Sequence, residues 1–346
     1  MKRLRKRIIV AGAGLSGLTA AAYLLRAGHE VLVIEKSAAC GGLVSSFRKD
    51  GFLFDTGPRA FGNAGILAPM LADLGINLTM VKGEVSTGIS DHIVHYDRPE
   101  GVEDFLGSLR AIFPESAADM PAIGKRIRSS MRLSKALNRV PNPFFRNVFR
   151  DPGFFFREFL PLMPGFLEAV VRTGLADQSI EAALASLTAN RSLSDMICQH
   201  YFKGTPASFV FGYFENFQDY VYPLGGTGRL PEEMVKLIES RGGEILTNTE
   251  IREIHPAANR VVDQLGVRYP YDHLVWCTDL RSLYGRTHTT DLEPRVRRNI
   301  QQEAARYAAT GTGESVFTLF LGVDQAPEYF ARISRGHFIY TPSPEG

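Results

Sequence analysis

Ten residues, Ile8-Ile9-Val10-Ala11-Gly12-Ala13-Gly14-Leu15-Ser16-Gly17, constrain this chain more than any others. Four apolar residues suited to a buried strand run into Gly12-x-Gly14-x-x-Gly17. A helical pattern follows, with Leu18, Ala21, Leu24 and Leu25 on one side. The helix should stop at Ala27-Gly28, and a second apolar run, Val31 to Ile34, closes on Glu35. Strand, glycines, helix, second strand and terminal acid stand in the register of a βαβ unit that binds a dinucleotide. Each part has a physical job: Gly12 permits a tight turn, Gly14 lets a pyrophosphate approach the backbone, and Gly17 lets helix and strand pack closely. The helix N-terminus around Leu15 and Ser16 offers unpaired N–H groups and a partial positive charge to phosphate. Glu35 can accept hydrogen bonds from ribose hydroxyls and would repel a 2′-phosphate, which disfavours NADP.

The same stretch carries an ambiguity that composition resolves. Met1 to Arg7 is strongly basic and the run from Ile8 to Leu25 is uncharged, as in a signal peptide or a membrane anchor. The run is broken by glycines at fingerprint spacing and rich in Gly, Ala, Ser and Thr, so neither an export signal nor a transmembrane helix is expected. With 346 residues the chain can hold about two domains. Its formal net charge of +2 gives no general case for nucleic-acid binding. Cys40, Cys198 and Cys277 are too widely spaced for a disulfide framework or a metal site, and a reduced, cytoplasmic setting fits them.

After Glu35 and Lys36 come Cys40-Gly41-Gly42-Leu43 and then Gly51-Phe52-Leu53-Phe54-Asp55-Thr56-Gly57-Pro58-Arg59. A second glycine block, Tyr222-Pro223-Leu224-Gly225-Gly226-Thr227-Gly228, precedes a helix expected from about Leu230 to Ser240. Short strands are expected at Ile245–Thr247, Ile251–Ile254, Val261–Asp263, Gly266–Tyr269 and Leu274–Cys277. Trp276 and Cys277 read most simply as sheet core. These two blocks together resemble the FAD-dependent amine-oxidase-like superfamily, and within it phytoene desaturase and carotenoid isomerase relatives.

The resemblance implies an α/β fold: a doubly wound, Rossmann-like FAD-binding domain with an inserted α+β substrate domain. The expected boundaries are 1–77 and 219–280 for the FAD-binding domain, and 78–218 and 281–346 for the substrate domain. It implies FAD as cofactor, held by Gly12, Gly14, Leu15, Ser16, Gly17, Glu35, Lys36, Gly41, Gly42, Leu43, Gly57, Pro58, Arg59, Ile251 and Cys277, with a backbone group near Ile251 meeting the adenine. Two departures stand out. Leu43 occupies a position where the family often has a phosphate-holding Arg, a role Arg48, Arg59 or backbone donors could take. The family's C-terminal glycine-rich segment does not appear before Gly346, so the chain is expected to be the N-terminal portion of a longer protein.

Between about Leu78 and Gln218 the composition changes. Met120, Ile123, Ile127 and Met131 recur at helical spacing among Lys125, Arg126, Arg128, Arg132 and Lys135, which makes a basic amphipathic helix. Phenylalanines from Phe144 to Phe166 alternate with Arg146, Arg150 and Arg157. Core with a solvated basic face, a monotopic contact with anionic membrane, and a nucleic-acid surface are the three readings, in that order of preference. Phe209, Phe211, Tyr213, Phe214, Phe217, Tyr220 and Tyr222 suit either a hydrophobic substrate tunnel or plain core. Toward the end, a helix is expected around Val296–Ala308 and strands at Ser315–Leu321 and His337–Tyr340.

The resulting expectation is an FAD-dependent oxidoreductase that performs flavin hydride chemistry on a hydrophobic isoprenoid or polyene. The alternatives are a protoporphyrinogen-oxidase-like or amine-oxidase-like flavoenzyme, a non-catalytic lipid- or polyene-binding scaffold, and a pure NAD-binding module. No acid/base pair is assignable, His92, His95 and His200 being the histidines to inspect, and no metal-ligand spacing stands out.

Overall fold

The computed structural model describes residues 4–62, 66–96, 100–139, 151–175, 177–198, 200–310 and 316–344. The chain divides into two compact units. Met1–Pro58, Leu74–Thr79 and Pro223–Phe320 make the first; Arg59–Asp73, Met80–Tyr222 and Leu321–Gly346 make the second.

The first unit is built on strand β1 (Arg7–Ala11), helix α1 (Leu15–Arg26) and strand β2 (Glu30–Ile34). Later come α2 (Arg229–Ser240), β3 (Glu244–Leu246), β4 (Ile251–His255), β5 (Arg260–Asp263), β6 (Arg268–Pro270), β7 (His273–Trp276), α3 (Leu280–Gly285) and α4 (Pro294–Ala309). Four of these strands form a parallel sheet in the order β3-β2-β1-β7. A parallel sheet needs cover on both faces, and so its strands read as continuous apolar runs, as Ile8 to Ala11 does. Helices α1 and α2 cover one face: Gly17, Leu18, Ala21 and Ala22 of α1 are buried, as are Leu230, Met234 and Ile238 of α2. On the other face, Ile9, Ala11 and Ile34 pack with Ile251, Ile254 and Val261 of the antiparallel sheet β4-β5-β6.

The register decides where a site can form. Ala11 pairs with Ile34 and with Trp276, and Ile34 pairs with Leu246, so all four strands end at one edge. The glycine loop, Glu35, the Thr247–Ile251 connection and Cys277–Asp279 therefore leave the sheet side by side, at the carboxyl edge where open α/β sheets bind ligands.

In the second unit, helix Met120–Arg139 buries Met120, Ile123 and Ile127, while Lys125, Arg126, Arg128, Arg132 and Lys135 are exposed. It crosses Ala207–Asn216 so closely that a Cβ on Gly212 would lie 2.2 Å from Ser134 Oγ. Strand Val85–Ile89 sits between His337–Thr341, parallel to it, and His92–His95, antiparallel. These elements enclose the larger core, with Tyr96, Phe105, Leu109, Leu184, Phe211 and Phe214 among its buried side chains.

Three expectations change. Residues 281–320 belong with the first unit, because Leu283 packs on its core, Ile254 bridges to Thr287, and Arg286 donates to the Ile251 carbonyl. Arg59–Asp73 goes with the second unit, where Phe61 and Gly62 pair with Val221 and Tyr220. The strand expected at Ser315–Leu321 is not one: Val316–Leu321 has no strand partner among the described residues, and Phe317 is 90% exposed. Ser315 and residues 140–150, including Phe144, Phe145, Arg146, Phe149 and Arg150, lie outside the described residues.

Candidate functional site

At the carboxyl edge of the parallel sheet the glycines have distinct duties. Gly12 adopts φ +96°, and a Cβ there would meet the Cys277 carbonyl at 3.0 Å and Thr278 Cγ2 at 2.6 Å. A Cβ on Gly17 would sit 1.9 Å from the Gly12 carbonyl oxygen, so this glycine is required by helix–turn packing alone. Gly14 differs: a Cβ there would meet no atom of the protein within 4 Å. It is the N-cap of α1, with no side chain capping the first turn, so donors at this helix start remain available to an anion.

The Gly41-Gly42 pair lies directly opposite. Gly41 bridges to Gly14, and its N–H donates to the Ala13 carbonyl at 2.8 Å. Gly42 has φ +59°, and a Cβ there would approach the Gly14 Cα at 3.3 Å. Two backbone segments without side chains thus face each other across the start of α1. Leu43, by contrast, is 81% exposed. A Cβ on Gly57 would meet the Leu43 carbonyl at 2.2 Å, which explains that glycine through packing. Pro58 ends the first unit's N-terminal segment, and Arg59 belongs to the second unit.

Glu35 is buried at the tip of β2. Its Oε2 accepts from the Ala13 N–H at 2.7 Å and its Oε1 from the Ser37 N–H at 2.8 Å. The carboxylate therefore fixes the glycine loop to the end of β2 and lines a cavity of about 100 Å³. Gly12, Lys36, Ile251 and Trp276 share that cavity. The Ile251 carbonyl already accepts from the Arg286 guanidinium, whose other nitrogen donates to Glu250 at 2.7 Å. Cys277 sits behind the glycine turn, its N–H donating to the Ala11 carbonyl at 2.8 Å, and burial pushes its thiol pKa up. Burial and the nearby Glu35 do the same for Cys40. All three cysteines are free thiols.

Sequence reasoning missed Thr249, Glu250, Thr278, Asp279, Ser282 and Arg286 as lining residues. Trp276, read as sheet core, both packs on the core and walls the cavity, its Nε1 donating to the Asp279 carbonyl at 3.0 Å. Nothing local marks these positions; the strand register brings them together.

The second glycine block is joined to the hairpin Ser46–Lys49/Phe52–Asp55. Asp55 Oδ1 accepts from the Thr227 N–H at 2.9 Å, from Thr227 Oγ1 at 3.0 Å and from Ser46 Oγ at 2.6 Å. Ser46 Oγ in turn accepts from the Gly228 N–H at 2.9 Å. Gly226, at φ +102°, leaves room for that hydroxyl, since a Cβ would stand 2.7 Å from it.

A larger cavity of about 430 Å³ lies within the second unit. Its walls are Tyr96, Phe105, Phe209, Tyr213, Phe214, Phe217 and Tyr220, with Met196, Ile197 and Ile339. The aromatic stretch divides: Phe211 is fully buried core, whereas Phe209, Tyr213, Phe214, Phe217 and Tyr220 line the cavity. Polar groups are few: the Tyr213 and Tyr220 hydroxyls hydrogen-bond each other, and Thr87 Oγ1 meets the Tyr96 hydroxyl at 3.0 Å. Burial raises the Tyr220 and Tyr201 pKa values, so these hydroxyls stay neutral at physiological pH. His200 and His337 also line the cavity. Burial, then the Arg59 charge, lowers the His337 pKa, which keeps that imidazole neutral. His95 is engaged with Ser86 at 2.8 Å, and His92 is exposed.

Residues 15–338 match the family model of flavin containing amine oxidoreductases. An inactive all-trans-retinol 13,14-reductase from Danio rerio is 25% identical over 264 residues, 71% of this chain and 42% of that protein. A neurosporene-forming phytoene desaturase from Rhodobacter capsulatus is 27% identical over 258 residues, 72% of this chain and 47% of that protein. Among solved structures, an oxidoreductase from Methanosarcina mazei superposes with a TM-score of 0.57 at 17% identity, covering 86% of this chain and 65% of that one. The chain spans about half the length of the curated relatives it matches.

Proposed function

The chain belongs to the family of flavin-containing amine oxidoreductases, whose cofactor is FAD, and on that premise we propose a phytoene desaturase-like oxidoreductase acting on a hydrophobic isoprenoid or polyene. One observation carries the substrate class: the second unit holds a cavity of about 430 Å³ walled by aromatic rings. Phytoene and retinol, in the names of the two relatives, are substrates that such walls would suit.

In this proposal Gly14, Leu15, Ser16 and Gly17 at the helix start, with Gly41 and Gly42 opposite, hold the pyrophosphate. The open space beside Gly14 fits that role. Glu35 would meet the ribose, and Lys36 and Ile251 line the same cavity. FAD, when bound, supplies a two-electron hydride acceptor or donor. The chain's own side chains position the substrate and exclude water from it: Phe209, Tyr213, Phe214 and Phe217 offer ring faces to a conjugated chain. The Tyr213 and Tyr220 hydroxyls offer the few polar contacts. Desaturation, saturation and isomerisation all use this arrangement.

The test is spectroscopic. Purified protein should show flavin absorbance, and anaerobic addition of a polyene should change it, with a product altered by one double bond. Turnover of amines with hydrogen peroxide release, and no effect of polyenes, would replace this reading with the amine-oxidase-like one. A second reading, a polyene-binding scaffold without turnover, is favoured by the relative whose name marks it inactive. Tight polyene binding in protein that carries no flavin would establish it.

We further propose a peripheral contact with anionic membrane. Phe156, Leu160, Leu167, Val170 and Val171 are exposed along the helical run from Pro152 to Leu175, in the same unit as the basic face of Met120–Arg139. No helix among the described residues is long and apolar enough to cross a membrane. Co-sedimentation with phosphatidylserine vesicles should be lost in Phe156→Asp/Leu160→Asp; unchanged binding would refute the contact.

A further inference from the structure

Strand β4 and the connection between α3 and α4 are tied by their backbones, with Ile254 N–H donating to the Arg286 carbonyl at 2.9 Å and His288 N–H to the Ile254 carbonyl at 2.8 Å. This pairing brings together three side chains that are remote in sequence or separated by one residue. Glu253 and His255 stand two apart on β4, hence on one face of the strand. His288 arrives beside them from the connection. Glu253 Oε2 lies 2.7 Å from His255 Nε2 and 3.5 Å from His288 Nε2. The two imidazoles stack with centroids 4.1 Å apart. All three potential ligand atoms fall within 4.8 Å of one another.

We infer that Glu253, His255 and His288 form a binding site for a divalent transition-metal ion of the Zn²⁺ class. Two imidazole nitrogens and one carboxylate oxygen suit such an ion in hardness, and Ca²⁺ or Mg²⁺ would prefer oxygen ligands throughout. Zinc bonds of about 2.0–2.2 Å imply ligand–ligand edges of roughly 3.3–3.5 Å in a tetrahedron. The Glu253–His288 edge already has that length, and the Glu253–His255 edge opens from a hydrogen bond to a ligand spacing. Both rings then carry their proton on Nδ1, and water completes the coordination. Glu253 and His288 are exposed, so an ion can enter without rearranging the core.

The site has a consequence for the neighbouring cavity. An ion bridging His255 and His288 would staple the connection to β4. Two residues before His288, Arg286 grips the Ile251 carbonyl and Glu250, which line the cavity beside Glu35. The metal site therefore acts on the same backbone segment that borders the proposed cofactor site.

Zn²⁺ titrated calorimetrically into chelator-treated, desalted protein should bind at one equivalent. His288→Ala should lose roughly tenfold or more in affinity, at least the effect seen for groups that merely support a ligand. His255→Ala/His288→Ala should abolish binding, and Zn²⁺ should raise the melting temperature of the parent but not of this double variant. Glu253→Gln keeps the side-chain shape and should weaken binding on its own, as a control that needs no change in folding. Parent protein that takes up no stoichiometric Zn²⁺, or a double variant with unchanged affinity, would overturn the inference; the latter would place the ion elsewhere, for instance on the thiols.

Discussion

Around Gly12 to Gly17 the first unit makes its loop from bare backbone, whereas the second unit walls its cavity with rings. The first relies on absent side chains: Gly14 and Gly42 leave space, and Glu35 pins the loop through two N–H donors. The loop offers backbone N–H dipoles beside the Glu35 carboxylate, groups that suit a phosphate-bearing ligand with fixed hydrogen-bonding groups. The aromatic cavity offers few polar groups and mostly apolar wall. A backbone site breaks when any atom is added, whereas a ring-walled site degrades gradually as rings are removed.

The sharpest break should come at Gly17→Ala, whose Cβ would collide with the Gly12 carbonyl. Overpacking of this kind should cost about 3 kcal/mol, near the upper end of its usual range, measured by denaturant unfolding. Phe214→Ala, at a buried ring that borders the second unit's cavity, should cost about 3 kcal/mol, the low end for such truncations, but leave flavin content per folded molecule unchanged. Glu35→Ala removes a charged acceptor of two backbone N–H groups and should destabilise even flavin-free protein by about 2–3 kcal/mol. If only flavin affinity falls, Glu35 serves the ribose and not the loop.

Gly14→Val sharpens the contrast most directly. Because Gly14 is open on the protein side, its melting temperature without flavin should barely move while flavin retention is lost. Retained flavin would remove the pyrophosphate from this loop. The smallest effect concerns alkaline pH. Tyr201 and Tyr220 have folded pKa values raised by burial, so their contribution is intact below the ordinary tyrosine pKa of about 10 and is lost as pH rises above it. Tyrosinate absorbance at 295 nm should therefore appear late, together with unfolding, and Tyr220→Phe should soften that alkaline transition.

Much of the first unit was legible because its signals are local. The glycine spacing, the run Ile8–Ala11, Glu35 and the helix after Gly228 depend on neighbours in the chain, and each element formed within a residue or two of its expected bounds. The five strands after Gly243 were readable for the same reason. Val316–Leu321 was misread because a near-continuous apolar run promises a strand only where a partner completes the hydrogen-bond ladder.

What the sequence determined by itself is the βαβ unit, the backbone-built loop and the class of ligand it suits, since those follow from residues within about thirty positions of one another. The tertiary structure decided everything that depends on register. It set Trp276, Thr249 and Arg286 around Glu35, clamped Asp55 to Thr227, turned Phe211 into core and Phe214 toward a cavity, and brought His288 to Glu253 and His255. The physical reason is that spacing along the chain fixes which face of a strand or helix a side chain takes, while pairing between distant strands fixes what that face meets.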